Sequence, residues 1–267
     1  MKANKYIAFL IIIVLFGVVL YINSHPKKME VPPKYLILSK YEGFVVGYVN
    51  DSFRIDVYTI SNRRINGVIS ASVNNLPDCI SFVDYSLAPT LYFQDDSLHE
   101  LTLSLYLKPN RAGKCLINNS TLSLKINNRS FVAPLGRIEV IAYEKKCKPQ
   151  LAITKYISGS IGPKDAPIYL NYTLNNQLNV PVEISKVIFN LPGIKIVDTN
   201  VPLKIDPNSS STLYIKTVNT TKMSSLYVIQ PGIEIIQNTN TCIIPLEPFY
   251  YATIPPKDEL VKMLSQQ

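Results

Sequence analysis

The sequence predicts an all-β protein: two tandem antiparallel β-sandwiches from an internal duplication, preceded by one N-terminal transmembrane helix. Three observations carry that prediction. Most of the chain alternates apolar and polar residues with the period of two that a half-buried strand requires. Two stretches, LILSKYEGFVVG from Leu36 and LAITKYISGSIG from Leu151, repeat at an offset of 115 residues. The offset recurs in NLPDCISFVD from Asn75 and NLPGIKIVD from Asn190, and nearly so in VYTISN ending at Asn62 and NYTLNN ending at Asn176. A fixed internal period of this kind marks repeated structural units. Finally, no charged side chain occurs between Tyr6 and Ile22.

The 267 residues are 47% hydrophobic and 17% charged, a globular composition large enough for two cores of about 100 residues each. The net charge of +8 reflects a shortage of acids, 19 against 27 Lys and Arg, more than clustering of bases. Residues 1–5 form a short cytoplasmic N-terminus. Residues 6–22 are 17 in number, a helix of roughly 25 Å, at the short end of what spans a hydrocarbon core. Asn23, Ser24, His25 and Pro26 offer no small-x-small cleavage site, so the run reads as an uncleaved signal-anchor rather than a signal peptide. Lys2 and Lys5 balance Lys27 and Lys28 and leave the orientation to other residues. Residues 23–34, with Pro26, Pro32 and Pro33, form a stiff polar stalk.

The first module, 35–145, alternates almost throughout. Ile55, Val57 and Thr59 oppose Arg54, Asp56 and Tyr58, and Leu101, Leu103, Leu105 and Leu107 alternate with polar neighbours. Asn66-Gly67 suits a tight hairpin with positive φ at both central residues. About seven strands with turns every 8–12 residues point to a sandwich of immunoglobulin type. EKKCKPQ is an exposed seam, and the second module, 146–250, places strands near 151–157, 167–174, 181–189, 194–198, 211–218, 226–229 and 241–246. In the tail, 251–267, KDEL is internal and is no retention signal. Leu260, Val261 and Leu264 form a helical turn or two suited to docking on a partner.

Four cysteines without metal-type spacing suggest disulfides in an oxidising compartment. Of the three possible pairings, Cys79–Cys115 and Cys147–Cys242 keep each bridge inside one module. Position 79 maps onto Ile194, so this bridge is not part of the repeated unit. Sequons at Asn50, Asn118, Asn119, Asn128, Asn171, Asn208 and Asn219 fit an extracytoplasmic body and make each a glycosylation candidate. The body therefore belongs outside the plasma membrane, on a single-pass protein.

Catalysis finds little material. The histidines are His25 and His99, and FQDDSLHE holds the one ionisable cluster to weigh, with Asp95, Asp96, His99 and Glu100 as hard ligands for a divalent cation. The matching KIDPNSSSTLYI keeps Asp206 but replaces neither His99 nor Glu100, so the shared role is a turn into a strand. Arg63-Arg64, Lys27-Lys28 and Lys145-Lys146-Lys148 are solvated turns rather than a nucleic-acid face. No cofactor motif is present, and no cofactor is expected.

YLNYTLNNQLNVPVEISKVIF followed by LKIDPNSSSTLYIKTV resembles the adhesion-type immunoglobulin-like domains of archaeal and bacterial surface proteins, over about 50 residues. The whole chain is similar to anchored surface proteins of thermoacidophilic archaea, and that resemblance implies no catalytic residues. The expectation is a non-enzymatic interaction or structural protein of the cell envelope, meeting other surface proteins through sheet edges and loops. An apolar N-terminal helix before a β-sandwich also resembles pilins and archaellum components, although Asn4 and Lys5 separate Lys2-Ala3 from the apolar run. A subunit capping the outer face of a membrane complex is the third expectation.

Overall fold

The computed structural model describes residues 33–65, 68–90, 97–144, 151–158, 169–219, 226–237, 240–252 and 254–266. The expected anchor, Asn66-Gly67, Asp95, Asp96 and Cys147 lie outside the described residues. Among those described, no helix is long and apolar enough to cross a membrane.

The body is all-β, as its alternation requires. The first ten strands are β1 (Tyr35–Leu38), β2 (Tyr41–Tyr48), β3 (Phe53–Ser61), β4 (Val68–Asn74), β5 (Ile80–Thr90), β6 (His99–Pro109), β7 (Gly113–Ile117), β8 (Thr121–Ile126), β9 (Arg129–Pro134) and β10 (Gly136–Tyr143). Then come β11 (Leu151–Ser158), β12 (Tyr169–Asn176), β13 (Val182–Ile188), β14 (Ile194–Thr199), β15 (Leu203–Ile205), β16 (Ser209–Asn219), β17 (Leu226–Gln230), β18 (Gly232–Gln237), β19 (Asn240–Pro245) and β20 (Phe249–Ala252). A helix, α1 (Lys257–Ser265), closes the fold.

The two halves of the chain build sheets of matching order. One four-stranded sheet runs β1-β3-β6-β5, and its counterpart runs β11-β12-β16-β14. In each half the repeated LILS or LAIT segment is an edge strand, and the NLPD or NLPG turn leads into the opposite edge, β5 or β14. A second pair of sheets runs β4-β8-β9 and β15-β13-β18-β19.

Each half also ends in a long hairpin that bends midway. β7 pairs with β10 at Ile117↔Ile138, and β8 pairs with β9 at Thr121↔Pro134. Four residues forward on one arm match four back on the other, so one register runs through the bend, held there by Leu135 N donating to Ser120 O at 2.9 Å. The second hairpin joins β17–β18 to β19–β20, and Leu246 N donates to Pro231 O at 2.8 Å where it bends.

The bases of both hairpins meet in one sheet, ordered β20-β17-β2-β10-β7. β2 lies at its centre and runs parallel to β10 on one side and to β17 on the other. The seam expected at residue 145 is therefore crossed by hydrogen-bonded sheet, and residues 35–267 cluster as one unit. Ile55 and Leu107 of the first outer sheet pack on Tyr41, Val45, Ile138 and Val140, joined by Leu226 and Val228. On the other face of the central sheet, Phe44, Val46, Tyr227 and Ile229 pack against Leu170, Tyr172, Leu213 and Ile215 of the second outer sheet. Because successive strand residues point to opposite faces, the central sheet is buried on both, which is the environment of parallel strands. A third cluster fills the space between the first outer sheet and β4-β8-β9, with Val57, Leu103, Leu105, Leu122, Leu124 and Leu135 at its centre.

Close approach explains one glycine. Gly136 has φ +86°, and a Cβ there would collide with the Tyr41 backbone, where Tyr41 N donates to Leu135 O at 2.9 Å.

Candidate functional site

The most polar buried region lies on β3 and β6, on the face turned away from the first sandwich core. Register places Arg54 beside Tyr106, Asp56 beside Ser104, Tyr58 beside Thr102, and Ile60 beside Glu100. Asp56, Thr102, Ser104 and Glu100 are all buried. Asp56 Oδ1 accepts from Ser104 Oγ at 2.7 Å and pairs with Arg54 Nε at 3.2 Å. The Arg54 guanidinium lies 4.8 Å from the ring centroid of Tyr250, a cation–π contact from the C-terminal segment. The Tyr41 hydroxyl donates to Asp56 O. Burial pushes the Tyr250 hydroxyl up to about 12, opposed by Arg54 and assisted by Asp56. Burial also holds the Tyr41 hydroxyl far above its ordinary range.

The C-terminal segment packs at one end of this face, beside β1. Leu260 and Leu264 of α1 are buried against Ile60 and Leu98, with Leu36, Leu38 and Ile254 around them. The tail expected to dock on a partner docks on its own chain, and Val261 is exposed. Beside this patch, neither carboxylate oxygen of Glu100 has a hydrogen-bond partner, and burial pushes its carboxyl up to about 7.

Of the four cation candidates, Asp95 and Asp96 lie outside the described residues. His99 and Glu100 are consecutive in β6, so their side chains project to opposite faces and do not share an ion. Among the described residues no group of three or more His, Cys, Asp or Glu could hold a metal.

Cys79 and Cys115 form a disulfide with Cα atoms 6.2 Å apart, tying the approach to β5 in the outer sheet to β7 in the central one. Cys242 is disulfide-bonded too, while Cys147, its expected partner, lies outside the described residues. The sequons fall into two structural groups. Asn50, Asn119, Asn128 and Asn208 are exposed turn residues with φ between 51° and 68°. Every non-glycine residue with positive φ among those described is an asparagine, the other two being Asn75 and Asn127. Asn tolerates this left-handed backbone better than other side chains, so turn geometry accounts for much of the Asn-rich composition. Asn171 is half-buried within β12, and Asn219 ends β16. Asn118 and Asn119 are exposed on a cleft of about 320 Å³ that Lys40, Glu42 and Arg137 also line. Ser120, the hydroxyl residue of the Asn118 sequon, is buried and donates to Asn75 O at 2.8 Å.

Sequence reasoning missed one polar link between the halves. Glu139 in β10 is buried, paired to Lys114 Nζ at 2.8 Å and accepting from Asn190 Nδ2 at 3.3 Å. A charged residue within the apolar run IEVIAY was the available signal.

No protein-family model matches the chain. No curated protein matches it either. Among solved structures, a protein of unknown function from Porphyromonas gingivalis W83 is 17% identical, with 80% of this chain and 99% of that one covered and a TM-score of 0.23. The YadV chaperone is 12% identical, with 80% and 100% covered and a TM-score of 0.20. The alpha-2-macroglobulin of Escherichia coli is 9% identical, with 84% and 22% covered and a TM-score of 0.27.

Proposed function

We propose that this chain is a non-enzymatic interaction or structural protein of the cell envelope, anchored by residues 6–22 with its body outside the membrane. The observation that carries the reading is the Cys79–Cys115 disulfide joining two sheets across a core, a bond that persists in oxidising compartments. In this reading the halves 35–145 and 146–250 are copies of one immunoglobulin-like module. The matching order of their four-stranded sheets supports descent from a duplication, and the shared central sheet makes them one body.

The contact surfaces in this reading are open strand edges. Exposed large apolar side chains gather there: Val83 and Leu87 on β5, Leu116 on β7, Val132 on β9 and Val197 on β14. Each of these strands ends its sheet and can accept a strand from a partner. The test is purification from membranes in mild detergent after brief crosslinking, with mass spectrometry of co-purifying chains and of the cysteines under non-reducing conditions. A stoichiometric envelope partner and intact disulfides support the reading, and filament or membrane-complex subunits would narrow it to an accessory role. Recovery in the cytosol with reduced thiols would overturn it.

A further inference from the structure

We infer that the C-terminal segment, residues 254–266, is an acid-sealed strap: it closes over Leu36, Leu38, Ile60 and Leu98, beside Glu100, while Glu100 is neutral and lifts away as Glu100 ionises. The geometry comes first. Leu260 and Leu264 are the buried side chains of α1, so two leucines supply most of the helix's apolar grip. The first turn lacks a side-chain cap, since Pro256 at the N-cap makes no such hydrogen bond. Hydrophobic anchorage by two leucines, opposed by the entropy of ordering the segment, is small enough for one ionisation to reverse.

Glu100 is placed to do so. It lies beside Ile60 across the β3–β6 ladder and two residues from Leu98, the pair on which the leucines rest. Both of its oxygens are buried without a partner. A neutral acid tolerates that position at modest cost, whereas a carboxylate would need water or a cation. Among the described residues, the groups facing it from each packed element offer no such cation. β6 contributes Leu98 and Thr102, and β3 contributes Ile60 and, further along, Tyr58 and Asp56, the latter already paired with Arg54. β1 contributes Leu36 and Leu38. β5 pairs Thr90 directly with Glu100 and places Ala88, Ser86 and Asp84 at successive positions further along the same register. On α1, Lys257, Asp258, Glu259 and Lys262 are all exposed. His99 points to the opposite face. Burial is accordingly the one cause of the upward shift to about 7.

The sign follows from linkage. Below the ordinary carboxylate range the strap is fully stabilised. As pH rises, an open strap lets Glu100 ionise from about pH 4.5 while the closed form resists until about pH 7. Closure is lost across that window and then levels off. Lifting the strap bares Leu36, Leu38, Ile60 and Leu98, an apolar patch on a sheet face.

Hydrogen exchange of the full-length protein in mild detergent at pH 5, 6, 7 and 8, corrected for intrinsic rates, tests the strap directly. Protection of residues 257–265 should fall on the order of 10- to 100-fold from pH 5 to pH 8, while β2 and β10 keep theirs. Glu100→Gln should stay protected throughout, and Leu260→Ala should be open throughout. Equal protection of the helix at pH 5 and pH 8, or a Glu100→Gln protein that keeps the full pH response, overturns the inference.

Discussion

Gly43 is a point where the two halves of the chain meet with no room for a side chain. It sits at the middle of β2, opposite Ile138 of β10 and Val228 of β17. A Cβ added there would stand 2.6 Å from Val228 Cγ1 and 2.9 Å from Ile138 Cγ2, against about 3.5–4.0 Å for comfortable carbon contact. Both neighbours are fully enclosed in the core, so neither can swing into solvent. Gly43→Ala should therefore cost about 1–3 kcal/mol by overpacking, a fall in Tm of about 2–4 °C for each kcal/mol in a body of this size.

The informative comparison is a double-mutant cycle with Val228→Ala. Alone, that substitution removes two buried methyl groups and should cost about 1–3 kcal/mol. It also removes the methyl that the Cβ added at Gly43 would strike, so the double variant should recover at least about 1 kcal/mol relative to the sum of the singles. Urea unfolding followed by far-UV circular dichroism reads this out as a change in midpoint at constant m-value. Additivity within about 0.5 kcal/mol, or a neutral Gly43→Ala, would refute the shared central sheet, because residues 43 and 228 meet only if β2 lies between the halves.

Other substitutions test the supporting contacts. Asn176 is fully buried, donates to Val180 O, Ile205 O and Asp206 O at 2.9, 3.1 and 3.1 Å, and accepts from Leu178 N at 3.0 Å; Asn176→Ala should cost about 2–4 kcal/mol by stranding those groups, seen as faster exchange at the β15–β16 turn. Replacing Cys79 and Cys115 by alanine opens a loop of 36 residues and should lower stability by up to about 4 kcal/mol in the chain-entropy account, with the variant melting below the oxidised protein and above the fully reduced one, which also loses the Cys242 bridge. Lys114→Ala leaves Glu139 buried without its cation and should cost about 1–3 kcal/mol, less than a fully buried pair because Lys114 is exposed; adding Glu139→Gln should restore part of that loss in the same urea assay. Asn119→Gly should be near neutral and Asn119→Val should cost about 1–2 kcal/mol, because φ is +66° there.

The strands with one face in a core and the other in polar surroundings were the legible ones. In β3, β6, β8 and β12 the alternation of Ile55 and Val57, or of Leu170, Tyr172 and Leu174, reports the buried face directly. The sequence does not mark β2 off from β1, because FVV within YEGFVVGY is buried on both faces and breaks the alternation that reveals a strand. β18 and β20 escaped for a related reason: each continues a hairpin arm past a bend, at Pro231 and after Leu246, and a bend without a turn motif leaves no local punctuation. Asn was read chiefly as a modification signal, yet at Asn50, Asn119, Asn128 and Asn208 backbone geometry alone explains it. In the sequence Glu100 is one of four acidic or imidazole neighbours at a turn into a strand, and only its burial reveals a carboxyl without a partner.

The matching sheets of the two halves and their shared central sheet act together on strand edges. Two separate sandwiches would each leave an open edge here, at β2 in the first half and at β17 in the second. Pairing β2 with β17, parallel as its pairing with β10 is, closes both at once, so the two edges nearest the seam disappear from the surface. The edges that remain, β5, β7, β9 and β14 among them, are those that carry exposed valine and leucine. Internal pairing has thus removed the open edges between the halves and left apolar ones on the periphery, where a partner's strand can reach them.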